Sequence, residues 1–467
     1  MNETVNTSRR SFIKTGLAMT AFSTFPFIRA AGAVSPNEKV NLACCGIGNR
    51  GGQIIRDLYR TGLCNIVALC DTDLGAPHTR RLLKMFPKAK RYKDFRKMLD
   101  EMGNQIDAVT AGVPDHSHFP IAMMAMGMGK HIYVEKPMAH TFQECALMAA
   151  AEKKNKVATQ MGNQGHSDGN YFQFKTLVEQ GYMKGVQKIV AHMNGVRRWH
   201  KWHGHVTSLR PAMPIPEGLD WDTWLSQVPF HPYHRDYVMG DWRCWFDFGN
   251  GALGDWGAHI FDTAHEFLEL GLPEEVDVLS MSGHTDFVFP MSSTLAFKFP
   301  AKGDRGPVTL EWWEGQKNFP KLPKNYGKSK AAADIPSMGG GSTAGGRHSL
   351  ASGKEIYLAD GTVYKGASHG STLSVVGGGK KLPPFPKSPS NHFKNFLLGC
   401  MGREKCRSSF STACSLSQVL TLGCIAQRLN TSFKFDIKRG EIIGNQTANL
   451  LLKGPPPRKG WEQYYKV

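Results

Sequence analysis

Two stretches of the sequence combine residue types that could carry out acid–base chemistry. The first is Glu135-Lys136-Pro137, which follows the short apolar run from His131 to Val134. Proline cannot continue a strand, so the chain must turn there and leave the lysine in the crevice at the strand's end. The second stretch is Asp255-Trp256-Gly257-Ala258-His259, which brings a carboxylate and an imidazole within one helical turn. A histidine and a lysine in one cleft could remove a hydroxyl proton and stabilise the developing negative oxygen. A surface ion pair before a turn is the alternative interpretation of Glu135 and Lys136.

The second of these stretches continues at helical spacing. Asp255, His259, Asp262 and Glu266 are separated by four, three and four positions. On a helix these residues would share one face, and polar residues aligned in this way rarely form a core stripe. The pattern fits a solvated face or a row of metal ligands, and the residues alone leave both open.

A glycine-rich loop near the start of the chain has the context of a nucleotide-binding turn. Gly46-Ile47-Gly48-Asn49-Arg50-Gly51 follows the apolar run from Val40 to Cys45 and precedes a helical pattern. Glycines there allow a tight turn and let a pyrophosphate approach the helix N terminus. A second apolar run, Asn65 to Cys70, ends in Asp71, whose carboxylate can accept both ribose hydroxyls and would repel a 2′-phosphate. The sequence therefore favours NAD over NADP, and a glycine turn in another kind of α/β protein is the alternative.

Strand-like and helix-like stretches alternate through the first third of the chain. The runs from Ile106 to Val113 and from Val157 to Asn163 add two further strands. The loop from Pro114 to His118 follows the first of these runs, at the same edge of the sheet as the glycine loop. The alternation predicts a Rossmann domain with a doubly wound parallel sheet over residues 38–160.

The remainder of the chain predicts an α+β domain over residues 161–432. Strand signals from Glu275 to Phe299 and from Val308 to Trp313 suit an open, largely antiparallel sheet. Helices at 392–429 are expected to pack back on the first domain, and residues 433–467 are expected to form a C-terminal tail. Residues 315–350 lack periodicity and predict a surface excursion or a subunit contact.

Tryptophans, arginines and histidines are mixed between positions 197 and 247. Arg197, Trp242 and Arg243 suit a sugar, because flat rings stack on its C–H faces while polar groups bind its hydroxyls. Aromatic residues in the core of a domain interface are the alternative, and the sequence leaves the choice open.

Several of these motifs, in their order along the chain, resemble the Gfo/Idh/MocA family, the relatives of glucose-fructose oxidoreductase and inositol dehydrogenase. They are the glycine loop, Asp71, the loop from Val113 to His118, and Glu135-Lys136-Pro137. The resemblance covers nearly the whole chain after its first 33 residues. It implies an oxidoreductase in which Lys136 is catalytic, His259 is the acid or base and Asp255 holds the substrate. The proline after the lysine is typically cis in that family.

The resemblance, together with the motifs, gives a set of expected contacts. Cofactor contacts are expected at Gly46, Gly48, Asn49, Arg50, Gly51, Asp71, Pro114, His118, Glu135, Lys136 and Asn163. Substrate contacts are expected at Gln164, Arg197, Trp242, Arg243, Asp255 and His259. No metal is expected, because the resemblance assigns the polar helix to substrate chemistry.

The first 33 residues have the pattern of a twin-arginine signal peptide. Ser8-Arg9-Arg10-Ser11 precedes a modest apolar run up to Phe27, and Ala31-Gly32-Ala33 offers small residues for cleavage. The apolar run is too short and too interrupted to span a bilayer, so no stable membrane insertion is expected. The pattern predicts a periplasmic protein. Because this route carries folded proteins, it also points to NAD bound tightly before export.

Composition excludes some classes of function. Lys and Arg outnumber Asp and Glu by 57 to 39, giving a formal charge of +18, but no RNA-binding or helix-turn-helix signature accompanies the excess. Nucleic acid is therefore not an expected partner. The ten cysteines contain no CxxC pair and lie largely in apolar runs, which predicts reduced, structural thiols.

The expected function is an NAD-dependent dehydrogenase acting on a carbinol of a small sugar or glycoside, with C3 of a pyranoside as one candidate position. An NAD-dependent glycosidase that recycles its own cofactor is the alternative, although the chain lacks the Tyr-Pro-Thr-His stretch of the family's glycosidases. A cofactor-bound binding protein without turnover is a third possibility. The family resemblance implies a homodimer or homotetramer.

Overall fold

The computed structural model describes residues 39–194, 206–323, 326, 352–367, 371–378 and 380–466. The expected signal peptide, Arg197 and most of the 315–350 segment lie outside these residues. Within the described chain, the strands form two sheets of six and nine strands. The predicted combination of a parallel Rossmann sheet with a second, mostly antiparallel sheet is confirmed.

The first sheet is entirely parallel, in the order β3-β2-β1-β4-β5-β6. Its strands are β1 (Val40–Cys45), β2 (Cys64–Cys70), β3 (Lys90–Tyr92), β4 (Ala108–Ala111), β5 (His131–Val134) and β6 (Thr159–Met161). The helices between them are α1 (Asn49–Arg60), α2 (Arg80–Met85), α3 (Phe95–Met102), α4 (His118–Gly127) and α5 (Phe142–Asn155). The strand order reverses between β1 and β4, so a crevice opens there at the carboxyl ends of the strands.

The second sheet has the order β13-β12-β11-β7-β10-β9-β8-β14-β15. Its strands are β7 (Val186–Met193), β8 (Glu275–Ser282), β9 (Ser292–Phe299), β10 (Val308–Glu314), β11 (Gly353–Leu358), β12 (Val363–Ala367), β13 (Ser374–Val375), β14 (Phe433–Asp436) and β15 (Glu441–Ile442). The β7–β10 pair is parallel and the other pairs are antiparallel. Alternate residues of β10, such as Leu310 and Trp312, are buried beneath the helices that cover one face.

Three helices supply that cover: α6 (Gly169–Glu179), α8 (Ala258–Phe267) and α10 (Phe410–Leu429). A π-helical turn, Leu253–Gly257, leads directly into α8. The long helix α10 also contributes Phe410 and Ala413 to the core of the first domain, so it spans both cores. Helix α8 and the π-helical turn before it, which carry the polar residues of the predicted helix, therefore lie between the two domains.

An aromatic insert, defined here as residues 206–248, separates β7 from α8 and contains the short helix α7 (Trp221–Leu225). Trp221 and Trp224 stack with ring centroids 4.6 Å apart, and Trp245 is fully buried. The indole N–H of Trp221 donates to the His231 carbonyl oxygen and that of Trp245 to the Asp236 carbonyl oxygen. These three tryptophans therefore pack in a core. Of the two roles that the sequence left open, sugar stacking and core packing, they have the second.

The described residues after position 432, expected to form a C-terminal tail, pack against both domains. Phe433 and Phe435 of β14 enter the core of the second sheet, and α11 (Gln446–Lys453) packs beside them. Trp461 is buried in the core of the first domain, against Phe95. The sequence pattern missed this because three prolines and isolated aromatics show no strand or helix periodicity.

Helix α9 (His392–Cys400) packs Phe396 and Leu397 against the first domain, beside α1. Each of the ten cysteines is a thiol outside any disulfide, eight of them are buried, and burial raises the pKa of the Cys64 thiol to about 12. No helix in the described residues is long and apolar enough to cross a membrane.

Candidate active site

The glycine loop between β1 and α1 is packed so closely that side chains are excluded. A Cβ added to Gly51 would lie 1.9 Å from the Gly46 carbonyl oxygen, and one added to Gly46 would lie 2.6 Å from the Gly112 carbonyl oxygen. Gly46 also has a φ of +74°, in the left-handed region that favours glycine. Asn49, with a φ of 39°, begins α1, and no side chain caps the helix at Gly48. The loop therefore presents backbone amides where a pyrophosphate can approach.

Asp71 follows β2 at the same edge of the sheet. One carboxylate oxygen accepts from the Ile47 amide at 2.9 Å and the other from the Asp73 amide at 3.1 Å. Burial raises the pKa of Asp71, and these two amide bonds oppose the rise. Because each carboxylate oxygen can accept more than one hydrogen bond, the oriented carboxylate fits the two hydroxyls of an adenosine ribose. The cradle and the carboxylate together fit NAD.

Arg50, in the glycine loop, reaches across the crevice to Glu135. Its Nε and Nη2 atoms both lie 3.1 Å from Glu135 Oε1, and the Gln164 side-chain amide donates to the same oxygen at 3.4 Å. Three residues predicted from the sequence as cofactor or substrate contacts thus form one cluster. Pro114, another of them, starts the loop that follows β4.

The Lys136–Pro137 peptide bond is cis, and the lysine side chain enters the cleft between the domains. Its Nζ donates to Asp255 Oδ1 at 2.5 Å and to the Asp255 carbonyl oxygen at 3.1 Å. Arg243 Nε lies 3.5 Å from the same carboxylate oxygen, and its guanidinium stacks 4.1 Å above the Trp242 ring. The structure thus brings together four of the predicted site residues from three separate segments.

His259 is held by Asn163, which follows β6. The Asn163 amide nitrogen donates to the Ala258 carbonyl oxygen at 2.8 Å, which orients the side chain so that its oxygen lies 2.8 Å from His259 Nδ1. Since that oxygen can only accept, Nδ1 carries the proton and Nε2 carries the lone pair in the neutral ring. A buried imidazole with a fixed tautomer suits a proton acceptor.

Family models match both halves of this arrangement. An oxidoreductase family's NAD-binding Rossmann fold matches residues 40–163, and the C-terminal alpha/beta domain of that family matches residues 168–301. Together the two matches span more than half of the 467 residues. The chain belongs to the Gfo/Idh/MocA oxidoreductase family.

Among individual relatives, inositol 2-dehydrogenase from Salmonella typhimurium is 30% identical over 138 residues, which is 29% of this chain and 40% of the relative. The alpha-N-acetylgalactosaminidase of Shewanella oneidensis is 29% identical over 143 residues, or 28% of this chain and 30% of that protein. The matches thus span less than half of these relatives.

Two solved structures share the fold at low identity. The WlbA dehydrogenase from Chromobacterium violaceum, in complex with NADH and UDP-GlcNAcA, has a TM-score of 0.58 at 13% identity, covering 86% of this chain and 97% of that one. The aldose-aldose oxidoreductase from Caulobacter crescentus has a TM-score of 0.55 at 14% identity, covering 85% and 100%.

His118, expected as a cofactor contact of this Gfo/Idh/MocA protein, contacts the loop after β5 that contains Lys136 and Pro137. Its Nδ1 is 2.9 Å from the Pro137 carbonyl oxygen and its Nε2 is 3.0 Å from that of Val113. Burial lowers the pKa of His118 to about 4, so the ring is neutral and donates to one of the two. The structure places His118 as a positioning residue that ties the loop after β4 to the loop after β5.

The polar helix face has partners along its whole length. Asp262 accepts from His166 Nε2 at 2.5 Å, while Glu266 lies 3.4 Å from His166 Nδ1 and accepts from the Tyr171 hydroxyl. Asp262 and Glu266 thus contact the segment after β6, just as His259 contacts Asn163. The described residues contain no group of three or more His, Cys, Asp or Glu side chains able to hold a metal ion.

One charged residue of the cleft was not among the predicted site residues. Asp115, in the turn after β4, is buried, and its Oδ2 accepts from the Asn250 amide at 3.0 Å. Burial, together with the Asp255 carboxylate, raises the pKa of Asp115 to about 7, against the opposing effect of the Arg243 and Lys136 cations. Asp115 lies in a turn, so no periodic pattern pointed to it. Its position directly after a strand, at the edge of the sheet that carries the glycine loop, could have identified it as a candidate site residue.

The His166–Asp262 pair predicts a pH dependence of stability. Burial would lower the pKa of His166, but the Asp262 carboxylate outweighs it and raises the value to about 8. The charged pair therefore stabilises the fold fully below about pH 6.5, and this contribution is lost as pH rises through about 8. Replacing His166→Gln should cost about 2 kcal/mol more at about pH 6 than at about pH 9, measured by urea unfolding.

His265 on the same helix is the matched control. Burial lowers its pKa to about 4, so near pH 6 only the unfolded chain protonates this histidine. His265→Gln should therefore cost somewhat less at about pH 6 than at about pH 9, which is the opposite trend to that of His166→Gln. A pH-independent cost of His166→Gln would contradict the charged pair.

Proposed function

We propose that this protein is an NAD-dependent dehydrogenase that oxidises a secondary alcohol of a sugar or glycoside, with C3 of a pyranoside as the preferred candidate. The observation that carries the proposal is the convergence of Lys136, Asp255 and Arg243 at the edge where Asp71 and the glycine loop form a dinucleotide cradle. The inositol dehydrogenase relative supports the alcohol as substrate class.

His259 takes the hydroxyl proton through Nε2, because Asn163 holds the proton of the neutral ring on Nδ1. Lys136 stabilises the oxygen as negative charge develops on it, and Asp255 holds the lysine side chain in the cleft. Asp255 and Arg243 offer an acceptor and a donor for neighbouring sugar hydroxyls. Bound NAD would accept the hydride from the carbinol carbon.

A glycosidase with internally recycled cofactor is the second candidate. The alpha-N-acetylgalactosaminidase relative, which is 29% identical over 143 residues, favours it. In that case the alcohol is oxidised, the glycosidic bond is cleaved and the ketone is reduced again by the hydride that was removed.

We further propose that the protein is exported through its twin-arginine pattern, keeps NAD bound in the periplasm and assembles as a homodimer or homotetramer. The pattern Ser8-Arg9-Arg10-Ser11 supports export. Since free dinucleotide is scarce outside the cytoplasm, export favours a cofactor that stays in its cradle.

The testing experiment is to denature the purified protein and identify the released nucleotide by mass spectrometry. We expect NAD or NADH at about one per chain, since Asp71 disfavours a 2′-phosphate. Release of NADP would contradict the role of Asp71, and a protein that neither carries nor binds a nicotinamide nucleotide would refute the oxidoreductase assignment.

The loaded protein is then given a panel of glycosides without added NAD. Accumulation of a ketone with reduced cofactor identifies a dehydrogenase, whereas release of free sugar with oxidised cofactor identifies the glycosidase.

A further inference from the structure

Two carboxylates and two cations meet in the cleft, but only one of the carboxylates is tightly paired. Asp255 receives Lys136 at 2.5 Å and Arg243 at 3.5 Å. The charges of the same two cations also act on Asp115, whose one specific contact among the described hydrogen bonds is the Asn250 amide at 3.0 Å. The two acids therefore differ in their ability to bind a proton.

The surroundings of Asp115 make it the carboxylate that can become neutral. It is 4% exposed, so ionisation carries a large desolvation cost. The charged and titratable groups that act on it come from four segments: Lys136 after β5, Arg243 in the aromatic insert, Asp255 in the π-helical turn and Cys424 on α10. The two cations favour the carboxylate form and Asp255 opposes it, so protonation is finely balanced near neutral pH.

Oxidation of an alcohol changes the charge in this cleft. The C–H bond breaks and its electron pair leaves as hydride to the nicotinamide, while the O–H bond breaks and leaves a proton behind. Hydride transfer thus removes one positive charge from the nicotinamide ring and sets one proton free. A buried group near its titration point responds to the loss of a neighbouring positive charge by binding a proton.

We propose that Asp115 is the proton store of the cleft: it binds a proton when the bound nicotinamide is reduced and releases it when the nicotinamide is oxidised. The proton that His259 takes from the substrate hydroxyl is then passed on and stays in the protein, on the carboxylate of Asp115, alongside the hydride. This inference rests on the proposed dehydrogenase function and deepens it, because a cofactor recycled in place needs both hydride and proton for the return step.

The test counts protons on binding of NADH and of NAD⁺, without any substrate. Isothermal titration calorimetry in two buffers of different ionisation enthalpy gives the protons taken up with each nucleotide, using protein freed of bound nucleotide. Near pH 7, NADH binding should take up more protons than NAD⁺ binding, by up to about one per chain. The Asp115→Asn protein should show no such difference, and its amide oxygen can still accept from the Asn250 amide.

Glu314→Gln is the matched control. Burial raises the pKa of Glu314 to about 7 as well, but its side chain contacts Ser293, Trp312 and Gln427 in the second-domain core. That variant should keep the wild-type difference between the nucleotides.

Equal proton counts for NADH and NAD⁺ in the wild-type protein would overturn the proton store, whether or not the Asp115→Asn protein folds. A difference that persists in Asp115→Asn would assign the proton to another group and overturn it as well. Failure of both nucleotides to bind the wild-type protein would instead refute the proposed function, so the two failures are distinguishable.

Discussion

Replacing His259→Ala is expected to slow hydride transfer by about 10²–10⁴-fold while the protein still binds NAD. The substitution removes the imidazole whose tautomer Asn163 fixes, and with it the group that takes the hydroxyl proton. The rate is measured in a single turnover by the absorbance of the reduced nicotinamide, and NAD binding is measured separately by calorimetry. The cradle at Gly46 and Asp71 is formed by other segments, so binding should change little.

The matched control is His265→Ala, a second buried histidine on α8. Its Nε2 contacts the Gly271 carbonyl oxygen, outside the cleft, so its removal should cost stability and leave the transfer rate within a few-fold of wild type. Near-normal transfer in His259→Ala would end its assignment as the base. Equal losses in the two variants would mean that the effect comes from the helix and not from the imidazole.

Replacing Gly51→Ala is expected to destabilise the first domain by about 3 kcal/mol or more and to abolish NAD binding. The new Cβ would lie 1.9 Å from the Gly46 carbonyl oxygen and 3.1 Å from that of Gly112, and both are backbone atoms that cannot turn aside. Relief requires the start of α1 to move away from the Gly46 carbonyl group, which shifts the amides that face the pyrophosphate. Chemical unfolding and nucleotide calorimetry measure the two effects.

Gly48→Ala is the control that tests whether any side chain in the glycine loop destabilises the protein as much as one at Gly51. Its Cβ would meet the His78 ring, at 2.0 Å from Cδ2, and an imidazole can rotate away. We therefore expect Gly48→Ala to cost clearly less stability than Gly51→Ala. Equal losses in the two variants would show that the backbone contact with Gly46 does not set the requirement for glycine.

The sequence predicted the elements whose signals are local. The apolar run of β1, the glycines and the helix α1 follow one another within a short stretch, and the acid at the end of β2 completes the nucleotide edge. The shared polar face of Asp255 and His259 was also visible, because helical spacing needs no knowledge of the partner. What the spacing could not show was that α8 faces the segment after β6, with Asn163 as the partner of His259.

The features that the sequence did not predict depend on distant partners. The charged environment of Asp115 comes from Lys136, Arg243 and Asp255, which lie on other segments of the chain. The choice between sugar-stacking and core tryptophans depended on how the aromatic insert folds on itself, with Trp221 against Trp224. Strand β3 is short and basic at the edge of its sheet, so it carries no apolar run to mark it.

Trp461 links the nucleotide-binding domain to the order in which the ribosome makes the chain. Its ring is buried against Phe95 and lies 4.4 Å from the Arg96 guanidinium, within the core of a domain whose strands end at Met161. During synthesis the strands of that domain emerge first, but the apolar slot that Trp461 fills stays open to water until residue 461 has left the exit tunnel. The core of the nucleotide-binding domain is thus completed only after the strands of the second domain have been synthesised.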